Sequence, residues 1–378
     1  MATNETSAAP EAKKNQVSQS YWSLVWWKFK KNRLAIIGGI VVLLFYVCCG
    51  LLAEFVAPYG VHTESVFLEA PPQWPRFRDV EGKWHLRPFV YGLEQQIDTA
   101  TRQRSYVVDT TRCYPIHFFV KAESYRLLGL IKWDRHLFGV HPDQEGAHVY
   151  LLGTDRLGKD QLSRLFYGGR ISLLIGLTGV IMTLLFGATL GAISGYYGGA
   201  VDMSVQRATE FLGAFPDIPL FMALASVIPA TVSPLIVYFL LTIILAFVRW
   251  GGLARQVRGL VLSLREREYV LAAQSFGASD RRILFQHLIP GAISHIIVIA
   301  TLAIPGMILS ETALSWLGLG IRPPMTSWGV MLQEGGNIRA IRYTPWLLIP
   351  ILFIMFAVLA FNMLGDGLRD ATDPYGGQ

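Results

Sequence analysis

Residues 171–201 run for 31 positions without a charged side chain. Stretches 34–53, 218–248 and 345–364 are likewise uncharged, and 288–310 holds only His295. Crossing hydrocarbon takes about 20 mostly apolar residues, because a helix satisfies its own backbone polar groups there. Residues 218–248 are too long for one crossing, and Pro229 and Pro234 bracket a natural break. Dividing that run gives six crossings. The third starts near Ser204, with Arg207, Glu210 and Asp217 in its first turns, and Asp217, between Pro216 and Pro219, marks an irregular helix entry. Only 16% of the 378 residues are charged, against about a quarter in a soluble chain.

The basic residues set an orientation. Lys28, Lys30, Lys31 and Arg33 stand just before the first crossing. Arg249, Arg255, Arg258, Arg265, Arg267, Arg281 and Arg282 crowd the connection between the fourth and fifth. Short loops rich in Lys and Arg stay cytoplasmic, so both termini are expected inside. The net charge of +6 is then mostly topological, and nucleic acid is not an expected partner; membrane lipid is. Stretch 34–53 is too long for the core of a cleaved signal and is expected to remain as an anchor. Cys48 and Cys49 lie within it and Cys113 stands alone outside, so no structural disulfide is expected.

Four regions follow: 1–33, a disordered tail and a Trp-rich interfacial helix from Tyr21; 34–57, the first crossing; 58–152, an extracytoplasmic insertion; and 153–378, five further crossings. The insertion is rich in Pro, Trp and charge. It is long enough to demand its own fold, with a strand expected at 106–108 and a helix near 122–131. It holds six of the eight histidines: His62, His85, His117, His136, His141 and His148. No Cys or carboxylate completes a metal set around them, so they read as surface or packed residues.

Residues 153–159 fit G-x4-G-K, but Asp160 follows where a phosphate loop needs Ser or Thr, and no buried strand precedes. No nucleotide site is expected on this chain. No ordered nucleophile or paired catalytic carboxylates appear either. His295 in the fifth crossing reads first as a hydrogen-bonded core histidine, with a translocation role as the alternative. Glu311, near the outer end of that crossing, is either a functional intramembrane carboxylate or a structural partner. Arg164 and Arg170 stand at the outer mouth of the second crossing. They anchor to headgroups, pair with Asp155 or Asp160, or touch a docked partner. The glycines inside the crossings read as helix-packing positions.

The connection between crossings four and five, 268–290, is polar and helix-prone. Tyr269, Ala272, Ala273 and Phe276 share one helical face, beginning beside Glu268. Gly277 is placed to stop that helix in the left-handed conformation, and Ser279 to cap the next. This segment resembles the cytoplasmic coupling loop of ABC importer permeases, E-A-A-x3-G-x9-I-x-L-P. Ala272, Ala273, Gly277 and Pro290 match in register, while Leu271, His287 and Ile289 depart from it. Residues 153–176, GYYGG at 195–199, ETALSWLGLG at 311–320 and GDGLRDATDP at 365–374 resemble the dipeptide, oligopeptide and nickel branch of that family.

The resemblance implies an all-α membrane subunit of about six helices with a cytoplasmic coupling-helix loop. It implies a second permease, two cytoplasmic ATPases carrying the ATP and magnesium, and a periplasmic or lipid-anchored solute-binding protein. Residues 268, 269, 272, 273, 276 and 277 would meet an ATPase. The cargo would be a short peptide, with a nickel complex or oligosaccharide as alternatives. A stand-alone secondary transporter or channel is the rival class; it would show buried charge relays or an inverted repeat.

Overall fold

The computed structural model describes residues 21–97, 104–141 and 146–373. The disorder expected before residue 21, and Pro374 of the last motif, lie outside the described residues.

Helix α1 (Tyr21–Lys31) leads into α2 (Arg33–Phe45), capped by Asn32, whose side chain accepts from the Ala35 N–H. A π-helical stretch, Tyr46–Leu51, and the short α3 (Ala53–Val56) follow. Five strands come next: β1 (Arg76–Arg78), β2 (Trp84–Ile97), β3 (Arg104–Pro115), β4 (His117–Leu127) and β5 (Ile131–Gly139). They form an antiparallel β1-β2-β3 sheet and a β4-β5 hairpin. The expected strand at 106–108 is part of β3. The expected helix at 122–131 is instead most of β4 and its turn. Leu128 and Gly129 both take positive φ there, which closes a hairpin and overrides the helix propensity of Ala, Glu and Leu.

The strands are tied to the helices by specific bonds. Phe55 of α3 stacks on Trp133 of β5, ring centres 6.0 Å apart. His136 reaches the carbonyls of Ala57 and Glu123 with its two ring nitrogens. Thr154 bonds the Ala70 N–H, and the Trp346 indole donates to the Thr154 carbonyl.

The helical part continues with α4 (Gln161–Tyr197), α5 (Gly199–Gly213), α6 (Asp217–Ser226) and α7 (Pro234–Leu264). After these come α8 (Glu268–Ser275), α9 (Asp280–Ile283) and α10 (Ile289–Trp316), the last two joined by a π-helical stretch, Leu284–Leu288. Then α11 (Trp328–Gly335), α12 (Ile338–Tyr343) and α13 (Pro350–Thr372) follow. Among the described residues, five continuous helical stretches are long and apolar enough to span a membrane: 33–51, 161–197, 234–264, 280–316 and 345–372. The sixth expected crossing is broken. Helices α5 and α6 meet at 88°, and Asp217 opens the second of them, at the irregular point expected between Pro216 and Pro219. Pro216 and Pro219 explain the break, since each lacks the N–H a helix interior needs. The chain turn before it is equally sharp, because consecutive positive-φ glycines, Gly198 and Gly199, end α4 and start α5.

Half of the apolar window of α4 and of α7 is buried, against 22% for the first span, so these two helices form the centre. Gly187, Gly191 and Gly195 recur at one-turn spacing along α4. A Cβ at Gly191 would stand 2.4 Å from the Ala254 carbonyl oxygen, and one at Gly187 or Gly195 would stand 2.9 Å from α7 backbone. Small residues at this spacing let two membrane backbones touch. Around this seam, Leu173, Ile175, Leu241, Leu245, Met307 and Ile308 are sealed in one core. Arg249, Arg255 and Arg258, read from sequence as part of a cytoplasmic connection, belong instead to helix α7.

Candidate functional site

At the end of the bundle opposite the strands, α8 projects as a short handle. Arg267 precedes it and Glu268 occupies its first turn, where a carboxylate suits the helix dipole. Its end is a Schellman turn. The Ala278 N–H bonds the Ala273 carbonyl, the Gly277 N–H bonds the Gln274 carbonyl, and Gly277 has φ +75°. Val270 is the one fully buried residue of α8, packed with Val257, Val261, Ile283, Leu284 and Leu288. Burying such a side chain contributes roughly 1.5–3 kcal/mol. The Tyr196 hydroxyl donates to Asp280 at 2.8 Å, and Arg265 donates to the Gly195 carbonyl. At the same end Arg258 clamps Asp202 with two bonds, joining α5 to α7. The handle is therefore fixed to the ends of α4, α7 and α10.

The opposite face of α8 is open. Glu268, Tyr269, Ala272 and Phe276 are exposed and Ala273 half-buried; the Phe276 side chain is 91% exposed. Ser279 does precede α9 as expected, but its side chain makes no capping bond. A pocket of about 540 Å³ lined by Ser279, Arg281, Arg282, Phe285 and Gln286 adjoins the handle.

His295 lies at this same end and is exposed, so the core-histidine reading is corrected. It lines a cleft of about 690 Å³ with Tyr21, Trp22, Leu260, Arg369 and Thr372. The reason is position: it stands within two turns of the α10 start, where helix surface faces α1 rather than the core.

The end carrying the strands holds the other candidates. Arg164 is buried, bonded to Asp155, to both oxygens of Glu334 and to Thr326. Arg170 makes a two-pronged pair with Glu54 and donates to the Gly50 carbonyl. Arg164 thus takes the Asp155 pairing read from the sequence, whereas Arg170 pairs with Glu54, which that reading did not offer. Bidentate pairs of this kind set geometry as well as energy. Asp155 also accepts from the Leu157 and Lys159 N–H groups, so the G-x4-G-K turn closes on its own carboxylate. Glu311 is buried and accepts from the hydroxyls of Ser172, Ser315 and Ser327. Those serines accept in turn from the N–H groups of Trp328, Ile321 and Val330. The carboxylate knots α4, α10 and α11 together. Sequence reasoning missed Glu54, Glu334 and the Asp202–Arg258 pair. A lone carboxylate or arginine flanking an apolar run was the available signal.

Comparison with known proteins agrees with this architecture. Residues 187–375 match the family described as binding-protein-dependent transport system inner membrane component. Residues 20–72 match the N-terminal transmembrane domain of oligopeptide transport permease C. The chain is 42% identical over 242 residues to the oligopeptide transport system permease protein OppC of Haemophilus influenzae, covering 64% of this chain and 75% of that one. It is 30% identical over 362 residues to the dipeptide transport system permease protein DppC of Lactococcus lactis, covering 94% and 91%. It is 39% identical over 234 residues to OppC of Escherichia coli K12, covering 62% and 74%. The helical spans, the α8 handle and these matches converge: the chain belongs to the binding-protein-dependent transport system inner membrane components, the multi-pass permease subunits of ABC importers.

Proposed function

We propose that this permease carries short peptides and that α8 is the part gripped by a separate ATPase. The single observation behind the coupling assignment is the contrast across α8. One side is sealed into the bundle through Val270, while the other presents Tyr269, Ala272 and Phe276 to the surroundings. An aromatic ring that is 91% exposed adds nothing to the stability of its own chain, and such rings are favoured anchors in interfaces. Glu268, Ala273 and Gly277 complete the surface: a charge at its start, a small residue for close approach, and a left-handed stop.

The action follows from the rigid connection. ATP and magnesium bind to two cytoplasmic ATPases, not to this chain. Their closure moves α8, and with it the ends of α4, α7 and α10. A second permease mirrors the motion, and the passage between the two opens toward the binding protein on the far side. ATP must favour one of the two states, since a ligand with equal affinity for both shifts nothing. The basic residues before α2 and around α8 support a cytoplasmic location for both termini and the handle. The peptide cargo is supported by the names of the relatives, which are oligopeptide and dipeptide permeases.

The test is uptake by the complete assembly in proteoliposomes. Phe276→Ala and Gly277→Val are expected to insert and assemble but to lower dipeptide uptake at least tenfold. At position 277 a β-branched residue in left-handed backbone is strained by about 1–2 kcal/mol, whereas Phe276→Ala removes an exposed ring alone. Wild-type uptake by both variants would remove α8 from the coupling role. An intact assembly that takes up no peptide would remove the peptide assignment.

A further inference from the structure

Arg249 is 15 residues from either end of the 31-residue helix α7, about 22 Å from each at 1.5 Å per residue. The fourteen residues before it, 235–248, carry no charge. An arginine directly against such an apolar run is kept where it faces a partner or a water-filled cavity. Its Nη2 donates to Ser310 Oγ at 2.8 Å. The Phe221 ring centre lies 5.8 Å from the guanidinium carbon. The Nε–H is buried with no partner. Gly306 makes the space, because a Cβ there would stand 2.7 Å from Nη1.

The carboxylate opposite is held loosely. Asp217 Oδ2 stands 3.6 Å from Nη2, and the two side chains are 59% and 33% exposed. That separation is beyond hydrogen-bond length, in contrast to the clamped arginines at 164, 170 and 258. Asp217 opens α6 at the 88° break, and residues 213–218 are exposed on this chain. Non-helical backbone at membrane depth is tolerated only against protein or lining a water-filled cavity. The loosely paired charges therefore lie on an open side of the bundle, the side that would border the passage in the two-permease assembly proposed above.

Resting on the peptide reading above, we infer that Arg249, Asp217 and Ser310 form a transit site for the charged end of the cargo. The guanidinium exchanges Asp217 for the free carboxylate of a passing peptide, a planar group that fits its forked donors. Asp217, released, meets the ammonium group of a short zwitterion.

The experiment compares dialanine with its C-terminal amide at limiting concentration in proteoliposomes holding the complete assembly. The binding protein is the same in every arm, so its own preference cancels. Arg249→Gln is expected to lower the acid-to-amide uptake ratio about tenfold below wild type, the scale of one charge-assisted bond. Arg249→Lys retains most of the ratio. Asp217→Asn raises it, because the competing carboxylate is gone. An unchanged ratio in Arg249→Gln overturns the inference and includes the case in which Arg249 serves a lipid anion, which is blind to the peptide terminus. Should Arg249→Gln fail to assemble, the exposed Asp217→Asn decides, and an unmoved ratio there overturns it. Wild-type assembly that imports neither peptide defeats the peptide reading and this inference together. Normal import with unmoved ratios defeats the inference alone.

Discussion

Asp160 caps α4 with one carboxylate oxygen and leaves the other without a partner. Oδ2 accepts from both the N–H and the hydroxyl of Ser163 at 2.7 Å, while Oδ1 is buried and unbonded. Burial pushes its carboxyl up to about 7, against the lowering pull of the Ser163 bonds. Burial also raises neighbouring Asp155, opposed by Arg164. Both carboxyls are thus raised above the ordinary value of about 3.9, so the folded protein holds these protons more tightly than the unfolded chain. Their stabilising contribution is complete below about pH 4 and is lost as pH climbs through the folded values. Thermal stability in detergent is therefore expected to fall between about pH 4 and 7. Asp160→Asn keeps a good cap and should flatten that slope; a slope identical to wild type would refute the assignment. Glu311 shows the limit of residue-level reading. Its place near the outer end of a crossing was legible, and Ser315 stands one turn away on the same helix, but Ser172 lies 139 residues away and only packing delivers it.

Two elements carry the mechanical argument, the α4–α7 seam and the α8 handle. The seam depends on close backbone approach at Gly187, Gly191 and Gly195. Gly191→Leu forces a side chain into the Ala254 carbonyl and is expected to destabilise by about 1–3 kcal/mol or more. Gly259, on α7, has nothing within 4 Å of its missing Cβ, so Gly259→Ala should change stability by no more than about 1 kcal/mol, in the stabilising direction. Melting of the purified assembly measures both, and equal effects would contradict the packing account. The handle was readable almost residue by residue, because a Schellman stop and a one-sided face are local properties. The β4-β5 hairpin was not. Its helix-forming composition is overruled by pairing with residues 131–139 and by the turn at Leu128 and Gly129.

Across the whole molecule, the strands and the handle lie at opposite ends of the spans, so their compartments must differ. Cys113, exposed on β3, is expected to react with a membrane-impermeant maleimide on intact spheroplasts. A Phe276→Cys variant in a Cys113→Ser background should react only after permeabilisation. Mass spectrometry of the labelled peptides reads the result, and the reverse pattern would invert the orientation set by the basic residues.

The sequence alone located the five long apolar helices, because hydrocarbon rejects charge and a spanning helix meets its own hydrogen bonds, but not the 88° break that divides the sixth expected crossing into α5 and α6. It also determined the α8 surface, whose spacing and glycine stop act within a few residues. Only the tertiary structure decided which charges meet. Arg164 found Glu334, Arg170 found Glu54, and Arg249 was left facing a half-engaged Asp217 beside a broken helix. Such pairings depend on how distant segments pack, and an ion pair in low dielectric rewards whichever partner the packing delivers, not the nearest one in the chain.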